Sequence, residues 1–128
     1  MRGRADEVVG YVVGESRPYS VSIISSKPLM LGEYVEIRYN GITVIGLIQT
    51  SISGSYVIDD TLSPEDLRRV VNIHRGNEGA IYYKGYVKIL GDPEELRIPP
   101  IPPPPGIEGR RASQKTLSKS VAPEGPQW

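Results

Sequence analysis

The sequence predicts an all-β fold: a small closed or nearly closed β-barrel of five to six strands, with one short helix and a polyproline linker on its C-terminal side. Three observations point there. Short β-branched and aromatic runs bounded by Gly, Pro or Asn recur from Val8 to Leu90. An Asn40-Gly41 pair sits between two of these runs, where a hairpin turn belongs. Only one segment, opening at Ser63, carries a helical repeat. Closure follows because a sheet of short strands otherwise presents edges that aggregate.

The first run, Val8-Val9-Gly10-Tyr11-Val12-Val13-Gly14, is apolar on both alternating sets and reads as a strand buried on both sides. Arg17-Pro18 makes a turn, and Ser20 to Ser25 follows with Val21 and Ile23 on one face. Lys27-Pro28 through Glu33 connects to the clearest signal, Tyr34 to Tyr39, Asn40-Gly41, and Ile42 to Ile48. A two-residue type I′ turn needs positive φ at both positions, which Asn-Gly supplies. The turn fixes the register: Tyr39 opposes Ile42, Ile37 opposes Val44 and Val35 opposes Gly46, all on one face. The other face holds Glu36 against Ile45, Arg38 against Thr43 and Tyr34 against Leu47. That face is mixed, not simply polar.

Ser63-Pro64-Glu65-Asp66 is a helix start, with Ser63 as cap and the acids at the positive end of the dipole. Gly76 closes it, and Leu67, Val70, Val71 and His74 form a stripe predicted to face the barrel. Ala80 to Leu90 reads as a long strand, Ile81, Tyr83, Val87 and Ile89 inward, and Tyr82, Lys84, Tyr86 and Lys88 outward. A short piece at Leu96–Ile98 is expected to pair last. Residues 99–106, almost all proline, must be extended, a stiff spacer of about 20 Å. These readings divide the chain into a barrel over 1–98, a polyproline linker over 99–106 and a flexible polar segment over 107–128.

Composition narrows the function. The 128 residues allow one domain. Lys plus Arg numbers 15 and Asp plus Glu 15, so no whole-chain field draws in nucleic acid or a membrane. There is no cysteine, which removes disulfides and thiolate chemistry and fits a reducing compartment. No apolar stretch reaches membrane-span length and the N-terminus lacks a signal-peptide core, so the expected location is cytoplasmic. His74 is the only histidine and sits on the helix stripe, where packing is its simplest use. Asp59, Asp60, Glu65 and Asp66 form a carboxylate cluster, but the glycine-bearing loop of calcium sites is absent. No catalytic constellation, metal site or cofactor site is assigned. Two surfaces remain as candidates. Glu36, Arg38, Ile45 and Leu47 make a protein interface on the hairpin, and Tyr82, Lys84, Tyr86 and Lys88 make a nucleic-acid or partner surface, since rings and lysines in alternation stack bases and meet phosphates.

Four segments in fixed order, Val9 to Glu15, Leu31 to Val35, Val44 to Ile48 and Pro99 to Gly106, together resemble the N-terminal HAS-barrel of HerA-type archaeal hexameric DNA translocases and helicases. The likeness covers about residues 8 to 113. Arg111-Ala112-Ser113 with Leu117 is similar to the stretch leading into the family's RecA-like ATPase core. The resemblance implies an assembly and docking barrel without catalysis of its own, in a hexameric ring that works with the nuclease NurA on DNA ends. ATP and magnesium are implied only for the core, whose phosphate-binding motif has no counterpart in these residues; DNA is implied mainly as a partner of the whole assembly. A free-standing nucleic-acid-binding barrel is the alternative. Ile107-Glu108-Gly109-Arg110 also spells a protease cleavage sequence, read as coincidence because its flanks fit the family.

Overall fold

The structure, a computed structural model, describes residues 7–58, 60–74 and 81–120. Six strands close into an antiparallel barrel in the order β1, β2, β5, β4, β3, β6. They are β1 (Val8–Arg17), β2 (Ser20–Ser25), β3 (Tyr34–Tyr39), β4 (Ile42–Ser55), β5 (Ile81–Gly91) and β6 (Glu108–Arg111), with helices α1 (Pro64–His74) and α2 (Gln114–Ser120).

The hairpin forms as its turn dictates. Asn40 and Gly41 take φ of 50° and 74°, and all six cross-strand pairs fall in the register derived from the turn. One face of that register points inward, so Val35, Ile37, Tyr39 and Val44 join Val12, Val21, Ile23, Ile48, Val87 and Ile89 in the core. Gly46 is a packing requirement, since a methyl group there would collide with Val87.

The structure departs from the sequence-based expectations at four places. β1 is not buried on both sides: Val12 faces the core while Tyr11 faces out, as a barrel with a solvated exterior requires. Ile81, expected inward, is exposed, because β4 and β5 run on as a two-stranded arm past the point where β2 ends. In α1, Ser63 caps as predicted, its Oγ accepting the Asp66 N–H at 3.1 Å. No described side chain of that helix is buried, however, and Leu67 and Val70 are only half covered. Gly76 and Asp59 lie outside the described residues, as does the His74 side chain. Last, the barrel ends later than its composition suggests.

Leu96–Ile98 is no strand; it leaves a turn organised by Asp92, whose carboxylate accepts the Glu94, Glu95 and Arg97 N–H groups at 3.3, 3.0 and 2.7 Å. The closing strand is Glu108–Arg111, inside the segment expected to be flexible, and it pairs with β1 on one side and β3 on the other. The barrel therefore reaches to Arg111, and the cleavage-like sequence is one of its staves. The prolines between are no free spacer. Tyr39 donates its hydroxyl to the Ile101 carbonyl at 2.7 Å, Ser16 bonds the Pro103 carbonyl, and Pro103 is buried. Gly106 N–H then meets the Val12 carbonyl at 2.7 Å and Val12 N–H the Ile107 carbonyl at 2.9 Å, leading the chain into β6. A segment without amide donors of its own lends only carbonyls, and the barrel's hydroxyls take them.

These contacts can be tested by substitution. Tyr39→Phe keeps the ring but orphans the Ile101 carbonyl, and should lower the unfolding free energy by about 1 kcal/mol in urea titration. Backbone hydrogen bonds from Glu95 first, then Arg97, hold the Asp92 carboxyl below the usual carboxylate range. Its contribution is complete above that ordinary range and fades as pH falls through the depressed value. Thermal melts from pH 6 down to about pH 2 should show a shallower acid loss in Asp92→Asn than in the parent chain.

Candidate docking surfaces

The hairpin's outer face is not the open contact that its sequence suggests. Ile45 is fully buried and Glu36 only 5% exposed, Leu47 is half-buried, and Arg38 alone stands out. Glu36 accepts from Arg38 Nε at 2.8 Å and lies opposite Arg110 of β6, which itself pairs with Glu108. The face is thus a charge ladder that neutralises itself beside a sequestered isoleucine. Gly91, the ladder partner of Ile45, has the Leu96 backbone packed against it. The cover comes from residues distant in the chain, which hairpin register alone does not reveal.

The four residues of β5 do share the outer face. Lys84 Nζ lies 5.4 Å from the centre of the Tyr86 ring, in cation–π range, and Lys88 and Tyr86 are exposed. Tyr82 also packs within the sheet. It lies over Gly54, its partner on β4, and its ring sits 4.9 Å from that of Tyr56 at 51°. Tyr11 and the Tyr56–Tyr82 pair line a shallow cleft of about 450 Å³ that also takes in Ile24, Lys27 and Ile81. Neither Tyr11 nor Tyr56 is marked by sequence pattern, because β1 reads as buried on both faces and β4 reads as ending at Ile48, seven residues short of its last residue, Ser55.

Each end of the barrel also carries apolar groups. At the strap end, where the turns after β1, β3 and β5 meet the prolines, Tyr19, Ile42, Leu96, Ile98 and Ile101 are all exposed. At the opposite end, where β1 begins and β6 finishes, the loop between β2 and β3 holds Leu29 inward and displays Met30 and Leu31. Arg111 closes that end electrostatically. It pairs with Glu33, lies 3.6 Å from Glu7, and Glu7 in turn lies 3.8 Å from Lys27.

Removing the Tyr82 ring uncovers Gly54 and strips Tyr56 of its neighbour. Tyr82→Ala should cost about 1–2 kcal/mol of stability. Tyr86→Ala, on the exposed part of the same strand, should stay within about 0.5 kcal/mol. Urea unfolding of the two variants side by side separates a structural tyrosine from one free to act in binding.

No helix among the described residues is long and apolar enough to cross a membrane. Residues 9–95 match the family model described as the HAS barrel domain. The chain is 30% identical over 120 residues to the DNA double-strand break repair helicase HerA of Saccharolobus solfataricus, covering 92% of this chain and 24% of that protein. It is 34% identical over 113 residues to HerA of Sulfurisphaera tokodaii, covering 87% and 22%. A probable helicase of Methanocaldococcus jannaschii is 29% identical over 120 residues, covering 89% and 23%. The chain thus spans about a quarter of the length of these relatives, whose names describe helicases, and the matched model is that of the HAS barrel domain. On the strength of the closed six-stranded barrel and the matched model, the chain belongs to the HAS-barrel family and corresponds to the N-terminal barrel of HerA-like helicases.

Proposed function

We propose that this barrel is the assembly and partner-docking domain of a HerA-like DNA helicase, taking part in a hexameric ring and gripping a NurA-type nuclease for resection of DNA ends. The relatives' names supply the DNA-repair setting. ATP and magnesium would be handled by an ATPase core outside these residues.

The observation that carries the docking role is the strap end. Tyr19, Ile42, Leu96, Ile98 and Ile101 come from three turns and the proline strap, yet all are exposed at one end of the barrel. Exposed apolar groups gathered in this way, on a frame held by Tyr39 and Ser16, suit a rigid surface that meets another protein. Ile98→Asp and Ile101→Asp in the full-length helicase should each weaken its binding to the cognate nuclease by about tenfold or more, with ring size unchanged by light scattering. Unaltered affinity in both would remove the strap end from the docking role.

A second reading, a barrel that binds single-stranded nucleic acid, is favoured by the Lys84–Tyr86 pair beside exposed Lys88. Stacking on Tyr86 would make Tyr86→Ala weaken salt-sensitive oligonucleotide binding by about 1–3 kcal/mol. Fluorescence anisotropy unaffected by that change would discard this reading.

A further inference from the structure

The end of the barrel opposite the strap has exposed apolar groups, a cleft and the exit of the chain in one place. Met30 and Leu31 are 55% and 64% exposed at the tip of the loop between β2 and β3. Beside them lies a cleft of about 310 Å³ whose lining includes Val8, Val9, Leu29, Met30, Glu33 and Arg111. Its charged groups pair with one another, Arg111 with Glu33 and Glu7 and Glu7 with Lys27, although Arg111 Nε and Glu7 Oε1 are buried without a hydrogen-bond partner. The two acids and two bases of the rim leave it without net charge, and Val8, Val9, Pro28, Leu29 and Met30 supply the apolar part of the lining, which suits side chains of another folded surface.

The exit of the chain says whose side chains they are. β6 runs from the strap end to this end, and its last residue, Arg111, is itself part of the cleft. Arg111 N–H is held by the Glu7 carbonyl at 2.7 Å and Ala112 N–H by the Tyr34 carbonyl at 3.2 Å, so the chain leaves the barrel pinned at the cleft's edge. Ser113 caps α2 immediately afterwards, its Oγ accepting the Thr116 N–H at 3.1 Å. That helix of seven residues carries the chain only about 10 Å at 1.5 Å per residue. Relatives of this barrel are about four times longer. A domain that follows in the same polypeptide is therefore joined to the barrel at the end that carries Met30, Leu31 and the cleft, away from the strap.

We propose that this end of the barrel is the seat of the domain that follows in the same polypeptide, with Met30, Leu31 and the cleft between Val8, Val9 and Leu29 receiving apolar side chains from it. The inference rests on the reading of the chain as the N-terminal barrel of a longer helicase. It gives the barrel a polarity: one end seated on its own polypeptide, the strap end turned outward.

The test uses the full-length protein with a benzophenone amino acid in place of Leu31, and separately in place of Ile101, followed by mass spectrometry of the cross-linked peptides. The expected result is cross-links from position 31 to residues beyond Ser120 of the same polypeptide, and none of that kind from position 101. Cross-links from position 31 to a second barrel or to the nuclease, or no cross-link at all, would overturn the seat. A full-length polypeptide that lacks an ATPase domain after the barrel would instead overturn the architecture on which the proposal stands, and the seat with it. Leu31→Asp supplies a second readout: it should raise the rate of proteolytic cleavage between Ser113 and Trp128 in the full-length protein by about tenfold, and leave the 128-residue chain unchanged. An equal rise in both, or in neither, contradicts the proposal.

Discussion

Everything in this fold depends on the insertion of β6 between β1 and β3. The other five strands form a sheet whose two edges, β1 and β3, would each present unpaired amides and carbonyls. Four residues satisfy both edges at once: Val8, Gly10 and Tyr11 pair on one side and Val35, Glu36 and Ile37 on the other. Gly109 pairs with Gly10 of β1 on one side and Ile37 of β3 on the other. The closed ring leaves β1 and β3 no edge to protect, while the β4–β5 arm keeps open edges past Leu47 of β4 and before Tyr83 of β5.

The proline strap sets how β6 arrives. β5 ends at Gly91, and the Asp92 turn, with Leu96 in a left-handed conformation at φ 57°, redirects the chain across the end of the barrel. Prolines suit that crossing because they bring no amide donors that would need partners, while their carbonyls and that of Ile101 accept from Ser16 and Tyr39. Their stiffness also shrinks the set of conformations lost when the strand docks. The same segment thus closes one end of the barrel, aims its last strand, and presents Ile98 and Ile101 outward. Fold and candidate docking surface share one cause.

What could be read from sequence was what local chemistry determines. Asn40-Gly41 specified the hairpin down to each opposed pair, Ser63 marked the helix cap, and period-two alternation found β2 and β5. What escaped was non-local. Glu108–Arg111 has no β-branched or aromatic residue, so nothing in its composition marks a strand, and only the gap between β1 and β3 makes it one. Glu36 and Ile45 looked available because a hairpin considered alone has two faces. The packing of Tyr82 over Gly54 stayed hidden because it depends on the far half of β4. The exposed ends, with Tyr19, Ile42 and Ile101 at one and Met30 and Leu31 at the other, gather residues scattered through the chain and become visible only once the strands are placed.

The claim that β6 completes the domain is open to a direct measurement: urea unfolding, followed by far-ultraviolet circular dichroism, of a chain ending at Gly106 beside one ending at Ser120. A cooperative transition is expected in the longer chain and none in the shorter, whose strap would have no strand to deliver and whose β1 and β3 edges would stay open. Two cooperative transitions with the same midpoint and slope would contradict that dependence, and would place the end of the folded barrel before the prolines.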